Sequence, residues 1–283
     1  MCTLTLIQVR LREYRLAFNR DEQRSRDPGL PPTVERRSGI RVIAPLDPVG
    51  GGTWISLNEF GISVAILNQN PPPEDRPFLA EGVSRGCLVA EASSATDLEA
   101  IADSLRVIAP EVERPYRLLA TDGHRILVAT VRLDGRLTPM TIQIRDWDGA
   151  PVLLASSGIG DHLVEPERAK HFDATVLPVH LRNADRDALD SLDSLDALDS
   201  LDALDALVAT QDQFHNSTSP LRPELAVRMS RREAKTVSRT VIEVDFAASE
   251  GRMLHFGDPE DRTGQDRPAV SRLLLRSPVD GEA

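Results

Sequence analysis

Three features of the 283-residue chain predict an α+β fold, with antiparallel sheets and helices layered outside them. Short β-branched runs are joined by local turns, helical periodicity is confined to a few stretches, and strand and helix never alternate regularly. Hydrophobic residues make up 41% and charged residues 27%, enough apolar side chain for a sizeable core. The 33 basic against 44 acidic side chains leave a net charge of −11, which argues against nucleic acid or anionic membrane as partner. No window approaches the roughly 20 apolar residues of a membrane span. Arg10 and Arg12 interrupt the apolar core that a secretory leader needs, so a cytoplasmic location is expected. Cys2 and Cys87 read as reduced thiols, and six scattered His with no close Cys pair give no metal signature and imply no cofactor.

The elements follow in order. Residues 2–9, with Leu4, Leu6, Ile7 and Val9, predict a strand, and 13–18 a second. Residues 19–51, rich in Arg, Asp, Pro and Gly, read as a long loop. Residues 53–58 and 62–67 predict a hairpin across Glu59-Phe60-Gly61, ended by Pro71 to Pro73. The run Ser84-Arg85-Gly86 reads as a turn leading through Cys87 into a strand. A helix over 95–108 is predicted by the stripe Leu98, Ile101, Ala102, Leu105 and Ile108, capped by Ser94 or Thr96 and stopped by Pro110. Residues 116–120 and 126–131 make a hairpin at Asp122-Gly123. Residues 141–144 and 152–155 read as a further strand pair, 161–171 as a helix, and 236–245, 252–256 and 271–275 as closing strands.

Between them, leucines recur every third residue from Leu189 to Leu207, with aspartates in step from Asp190 to Asp205. Each step of three turns a helix by about 300°, so the leucine stripe drifts around the axis. The segment 187–207 is therefore expected to be an insertion that adds little to the core and nothing to a site.

Cys2 is the residue most suited to chemistry. Loss of Met1 would join a thiol nucleophile and an α-amine base in one residue, rigidly held at a strand start. In Asn19-Arg20-Asp21-Glu22, read as a turn where the chain leaves the sheet, Arg20 could orient a thiolate or carbonyl and Asp21 could hold the α-ammonium. Gly50-Gly51-Gly52-Thr53-Trp54 allows close approach of a ligand, and Asn68 and Arg85 stand at similar element ends. The turn Ser156-Ser157-Gly158 could present donors to an oxyanion.

Met1-Cys2-Thr3-Leu4, Asn19-Arg20-Asp21-Glu22, Gly51-Gly52-Thr53-Trp54, Ser84-Arg85-Gly86, the run 156–161 and the run 236–240 together resemble the NRDE family, which includes the transport and Golgi organisation 2 proteins. The resemblance covers nearly the whole chain except the Leu-Asp repeat. It implies a four-layer αββα fold of the N-terminal nucleophile hydrolase kind, related in function to penicillin V acylases and bile salt hydrolases. Those enzymes use an N-terminal Cys, an early Arg and Asp, and a later Asn and Arg. Cys2 corresponds to the nucleophile, Arg20 and Asp21 fill the early Arg and Asp roles although the spacing between them differs, and Arg239 is the candidate for the last. The region of the later Asn is Ser156-Ser157, a departure from the pattern. The expected function is hydrolysis of a non-peptide C–N bond in a linear amide or small acylated amine. The rival expectation is a non-catalytic scaffold that binds or traffics haem or an acyl-chain ligand.

Overall fold

The computed structural model describes residues 2–72, 83–109, 112, 114–134, 136–190, 197–258 and 268–276, with side chains described outside 183–203. Met1, Pro73, Pro110 and the repeat residues 191–196 thus lie outside the described residues. Two antiparallel sheets face each other. The first orders β12 (Val152–Ser156), β1 (Cys2–Arg10), β2 (Glu13–Gln23), β13 (Ala234–Asp245), β14 (Glu250–Phe256) and β15 (Ala269–Leu274). The second orders β11 (Thr141–Asp146), β8 (Arg125–Val131), β7 (Tyr116–Thr121), β6 (Ser63–Asn68), β5 (Ile55–Asn58), β4 (Ile40–Leu46) and β3 (Leu30–Arg37). A two-residue pair, β9 (Leu133–Asp134) and β10 (Arg136–Leu137), sits apart from both.

Three apolar layers hold this together, each set by the period-2 alternation of the strands. Leu4, Leu6, Leu16, Phe18 and Ile242 meet Ile43, Ile55, Leu57, Leu67 and Leu119 between the sheets. The outer face of the second sheet, through Val64, Ile66, Leu118 and Leu127, buries Leu88 and Val89 of α1 (Gly86–Ala92) and Leu98, Ile101 and Leu105 of α2 (Leu98–Ile108). The outer face of the first, through Ile7 and Val9, buries Phe172 and Val176 of α3 (Asp161–Asp190) and Leu207 and Phe214 of α4 (Ala197–Asn216). The layers run helix, sheet, sheet, helix: the four-layer αββα architecture.

Several expectations change. Residues 19–51 are largely strand: β2 continues to Gln23, and β3 and β4 form a hairpin at Ser38-Gly39, whose φ values of 49° and 85° suit a two-residue turn. β3 is mostly exposed at the sheet edge, so it tolerates the Pro and charged residues that made it read as loop. The Asn19–Glu22 run therefore lies inside a strand. β11 and β12 do not pair with each other; β11 joins β8 and β12 joins β1. Cys87 begins helix α1, not a strand, and α2 is capped by Asp97, whose side chain accepts from the Ala100 N–H. The end of the Leu-Asp repeat enters the core, with Leu204 and Leu207 packed on β1's outer face.

Candidate active site

Cys2 opens β1 and shares its inward face with Leu4 and Leu6. It is 7% exposed and lines a cleft of about 500 Å³. Register places it opposite Arg20 on one side and Ser156 on the other. Paired residues share a face, so Arg20 enters the same cleft, where its guanidinium lies 4.6 Å over the Trp54 ring. The Cys2 N–H donates to Ser156 Oγ at 3.1 Å. Burial pushes the Cys2 thiol up and the Asp21 carboxylate adds to it, while Arg20 and a hydrogen bond from the Asp21 N–H pull it down.

Asp21 alternates to the far side of β2. There its carboxylate is fully buried, accepts from Thr236 Oγ1 at 2.6 Å and pairs with Arg168 at 3.6 Å. Burial raises Asp21 above the ordinary carboxylate range, and Arg168 opposes the rise. Arg168 reaches up from α3 and also donates to Thr3 Oγ1 at 2.5 Å and to the carbonyls of Leu225 and Ala226. It thus ties α3, β1 and β2 together directly beneath Cys2. Nothing in the sequence singles it out, because within Glu167-Arg168-Ala169-Lys170 it reads as a solvated helix charge.

The opposite wall comes from two glycine-bearing segments in contact. A Cβ on Gly52 would lie 2.6 Å from the Gly86 carbonyl carbon, and one on Gly86 would lie 2.9 Å from the Thr53 nitrogen. Only glycine allows these backbones to meet, with the Thr53 N–H donating to the Gly86 carbonyl at 3.3 Å. This contact brings Trp54 and Arg85, with Asn68 from the end of β6, onto the wall facing Cys2. Asp47 anchors the rim. Although burial pushes it up, its bonds from Arg26 and the Gly50 N–H hold its carboxyl below the usual range.

Other expected site residues lie elsewhere. Asn19 faces α4, donating to the His215 and Val227 carbonyls. Arg239, opposite Asn19 in register, is on that same outer face and pairs with Asp212 at 2.5 Å. The structure does not bring it to the cleft. The Ser157 N–H donates to Asp161 Oδ1 at 2.7 Å, and the Gly160 N–H to the Ser157 carbonyl. Ser156, the register partner of Cys2 at the start of this turn, meets the Cys2 N–H with its hydroxyl.

A family model described as Transport and Golgi organisation 2 matches residues 1–146. No curated protein matches the chain. Among solved structures, the chain is similar to a Caenorhabditis elegans N-acylethanolamine-hydrolyzing acid amidase ortholog, at 11% identity and a TM-score of 0.45, covering 85% of this chain and 92% of that one. It is also similar to the C2A mutant of conjugated bile acid hydrolase from Clostridium perfringens, at 10% identity and a TM-score of 0.43, covering 97% of this chain and 92% of that one. No helix among the described residues is long and apolar enough to cross a membrane.

Proposed function

The chain belongs to the Transport and Golgi organisation 2 family, and from that premise we propose that its cleft hydrolyses a non-peptide C–N bond in a small acylated amine, with Cys2 as nucleophile. The observation that carries this reading is the placement of Cys2: a strand-held thiol on a cleft wall, opposite Arg20, with its main-chain nitrogen held by the Ser156 hydroxyl.

Cleavage ahead of Cys2 turns that nitrogen into an α-amine. The amine takes the thiol proton, and the thiolate attacks the acyl carbonyl. The C–N bond breaks as the ammonium returns a proton to the leaving amine. Water, deprotonated by the same amine, then cleaves the thioester and releases the acid. Ser156 Oγ orients the amine, and the Asp21 N–H and Arg20 favour the thiolate. Asp21 is a positioning residue, fixed with Arg168 under the sheet. Asn68 is the cleft's side-chain amide and the donor assigned to the oxyanion.

The test is turnover of a panel of N-acyl amines together with alkylation by iodoacetamide. Cys2 is expected to be labelled before the part-buried Cys87, and Cys2→Ala to abolish turnover. Turnover that survives Cys2→Ala would remove the nucleophile.

A further inference from the structure

Among the described residues the cleft lining carries four arginines, Arg20, Arg26, Arg85 and Arg114, against the carboxylates of Glu22 and Asp47, while Asp21 borders it with its carboxylate turned to the far side of β2. That is a local positive excess in a chain of net charge −11. The carboxylates are already committed. Glu22 and Asp47 are shared by Arg20, 3.4 Å from each, and Arg26, at 3.6 and 2.7 Å. Asp21 is held from beneath by Arg168.

Arg85 stands differently. Its Nη1 donates to the Pro115 carbonyl at 3.0 Å, and it has no carboxylate within ion-pair distance among the described residues. One carbonyl satisfies one of five guanidinium N–H groups. Burial and the like charge of Arg114 push Arg85 down to about 10. On the same wall, Trp54 is 6% exposed and its buried indole N–H has no hydrogen-bond partner among the described residues. Among the described residues, Glu22 and the Cys2 thiol bear on Arg85 only from beyond ion-pair distance, so one cleft is lined by a guanidinium with no carboxylate seated on it and by a Trp54 indole whose N–H has no acceptor.

We propose that the molecule cleaved in this cleft carries an anionic group, a carboxylate or a phosphate, that seats on the Arg85 guanidinium. The inference rests on the reading of the cleft as a hydrolytic site. A neutral amide would leave the buried guanidinium with no anion seated on it; an anion supplies one and matches the guanidinium fork with two parallel hydrogen bonds.

Calorimetric titration of the Cys2→Ala protein separates binding from chemistry. The probes are N-acetylglycine, its neutral analogue N-acetylglycinamide, and inorganic phosphate. At least one anion is expected to bind about tenfold or more tightly than the neutral probe, and Arg85→Gln to erase that preference. Which anion binds tighter distinguishes a carboxylate-bearing from a phosphate-bearing substrate. Equal affinities, no binding of either anion, or a preference that survives Arg85→Gln would overturn the proposal. If circular dichroism shows Arg85→Gln unfolded, Arg85→Lys replaces it. A preference undiminished in that variant overturns the proposal, and a weakened one supports it.

In the Cys2-containing protein, the rate ratio of Cys2 alkylation by iodoacetate to that by iodoacetamide is expected to fall about tenfold in Arg85→Gln. A merely structural change would slow both reagents alike and leave the ratio unmoved. If iodoacetamide fails to label Cys2 at all, the nucleophile reading fails, while calorimetry still decides the anion site.

Discussion

At the scale of single residues, the Asp21–Arg168 pair is the part of the site with the most at stake. Both side chains are essentially buried, at 0% and 1% exposure. Removing one partner leaves the other charge uncompensated, so Arg168→Met is expected to cost about 3–5 kcal/mol in urea unfolding. Asp21→Asn tests the chemistry. A carboxylate near the thiol disfavours the thiolate, so losing its charge should move the pH midpoint of Cys2 alkylation downward. The limiting rate should fall, because the strand edge that positions Cys2 loses its anchor. Superimposable pH–rate profiles would uncouple Asp21 from Cys2. Cys2, Arg20 and Asp21 were legible because they crowd into two adjoining strands, and their types already name a chemistry. Arg168 was not, since its role comes from a helix docking under the sheet. Arg239 misled because residue type says nothing of parity: it lies one residue beyond Ser238, the register partner of Arg20, and so points to the opposite face.

At the scale of elements, the cleft depends on α1 lying against the chain that leads into β5. Gly52→Ala forces a Cβ onto Gly86 backbone atoms, which cannot yield as a side-chain tip can. Overpacking of this kind costs about 1–3 kcal/mol, a fall of roughly 2–12 °C in Tm. Cys2 alkylation should change with it, since Trp54 and Arg85 ride on the two segments. An unchanged melting curve would mean that the wall relaxes freely. Leu207→Ala is expected to cost about 2–5 kcal/mol, because this end of the repeat is core, whereas exposed Leu181→Ala should stay within about 0.5 kcal/mol. The β7–β8 hairpin is legible in the sequence through its Asp122-Gly123 turn. β11 and β12 were not, because two strands near in sequence can join different sheets, and only burial against β1 decides which. β3 and β4 were hidden by composition, since an edge strand need bury little.

Over the whole molecule, burial couples stability to pH. His215 is held well below its ordinary value and His255 at about 4, both by burial first and then by nearby arginines. His215 bridges Thr5 Oγ1 at 2.7 Å and Asn19 Oδ1 at 3.0 Å on the α4 side, and His255 meets Thr240 Oγ1 at 3.0 Å. An unfolded His takes up its proton near pH 6.5. Below that pH the unfolded chain binds protons that the native one refuses, so stability is full above it and falls as pH drops toward 4. Thermal melts should show a lower Tm near pH 5 than near pH 7.5, with a shallower fall in His255→Gln. A Tm independent of pH would contradict the buried neutral state. The hydrolytic reading requires Cys2 to be a freed terminal nucleophile on the cleft wall. Intact-mass and N-terminal peptide mass measurement of the native protein, before and after one equivalent of iodoacetamide, decides this. The chain is expected to begin at Cys2 and to carry the single label there. A residue still joined ahead of Cys2, or a first label on Cys87, would contradict it.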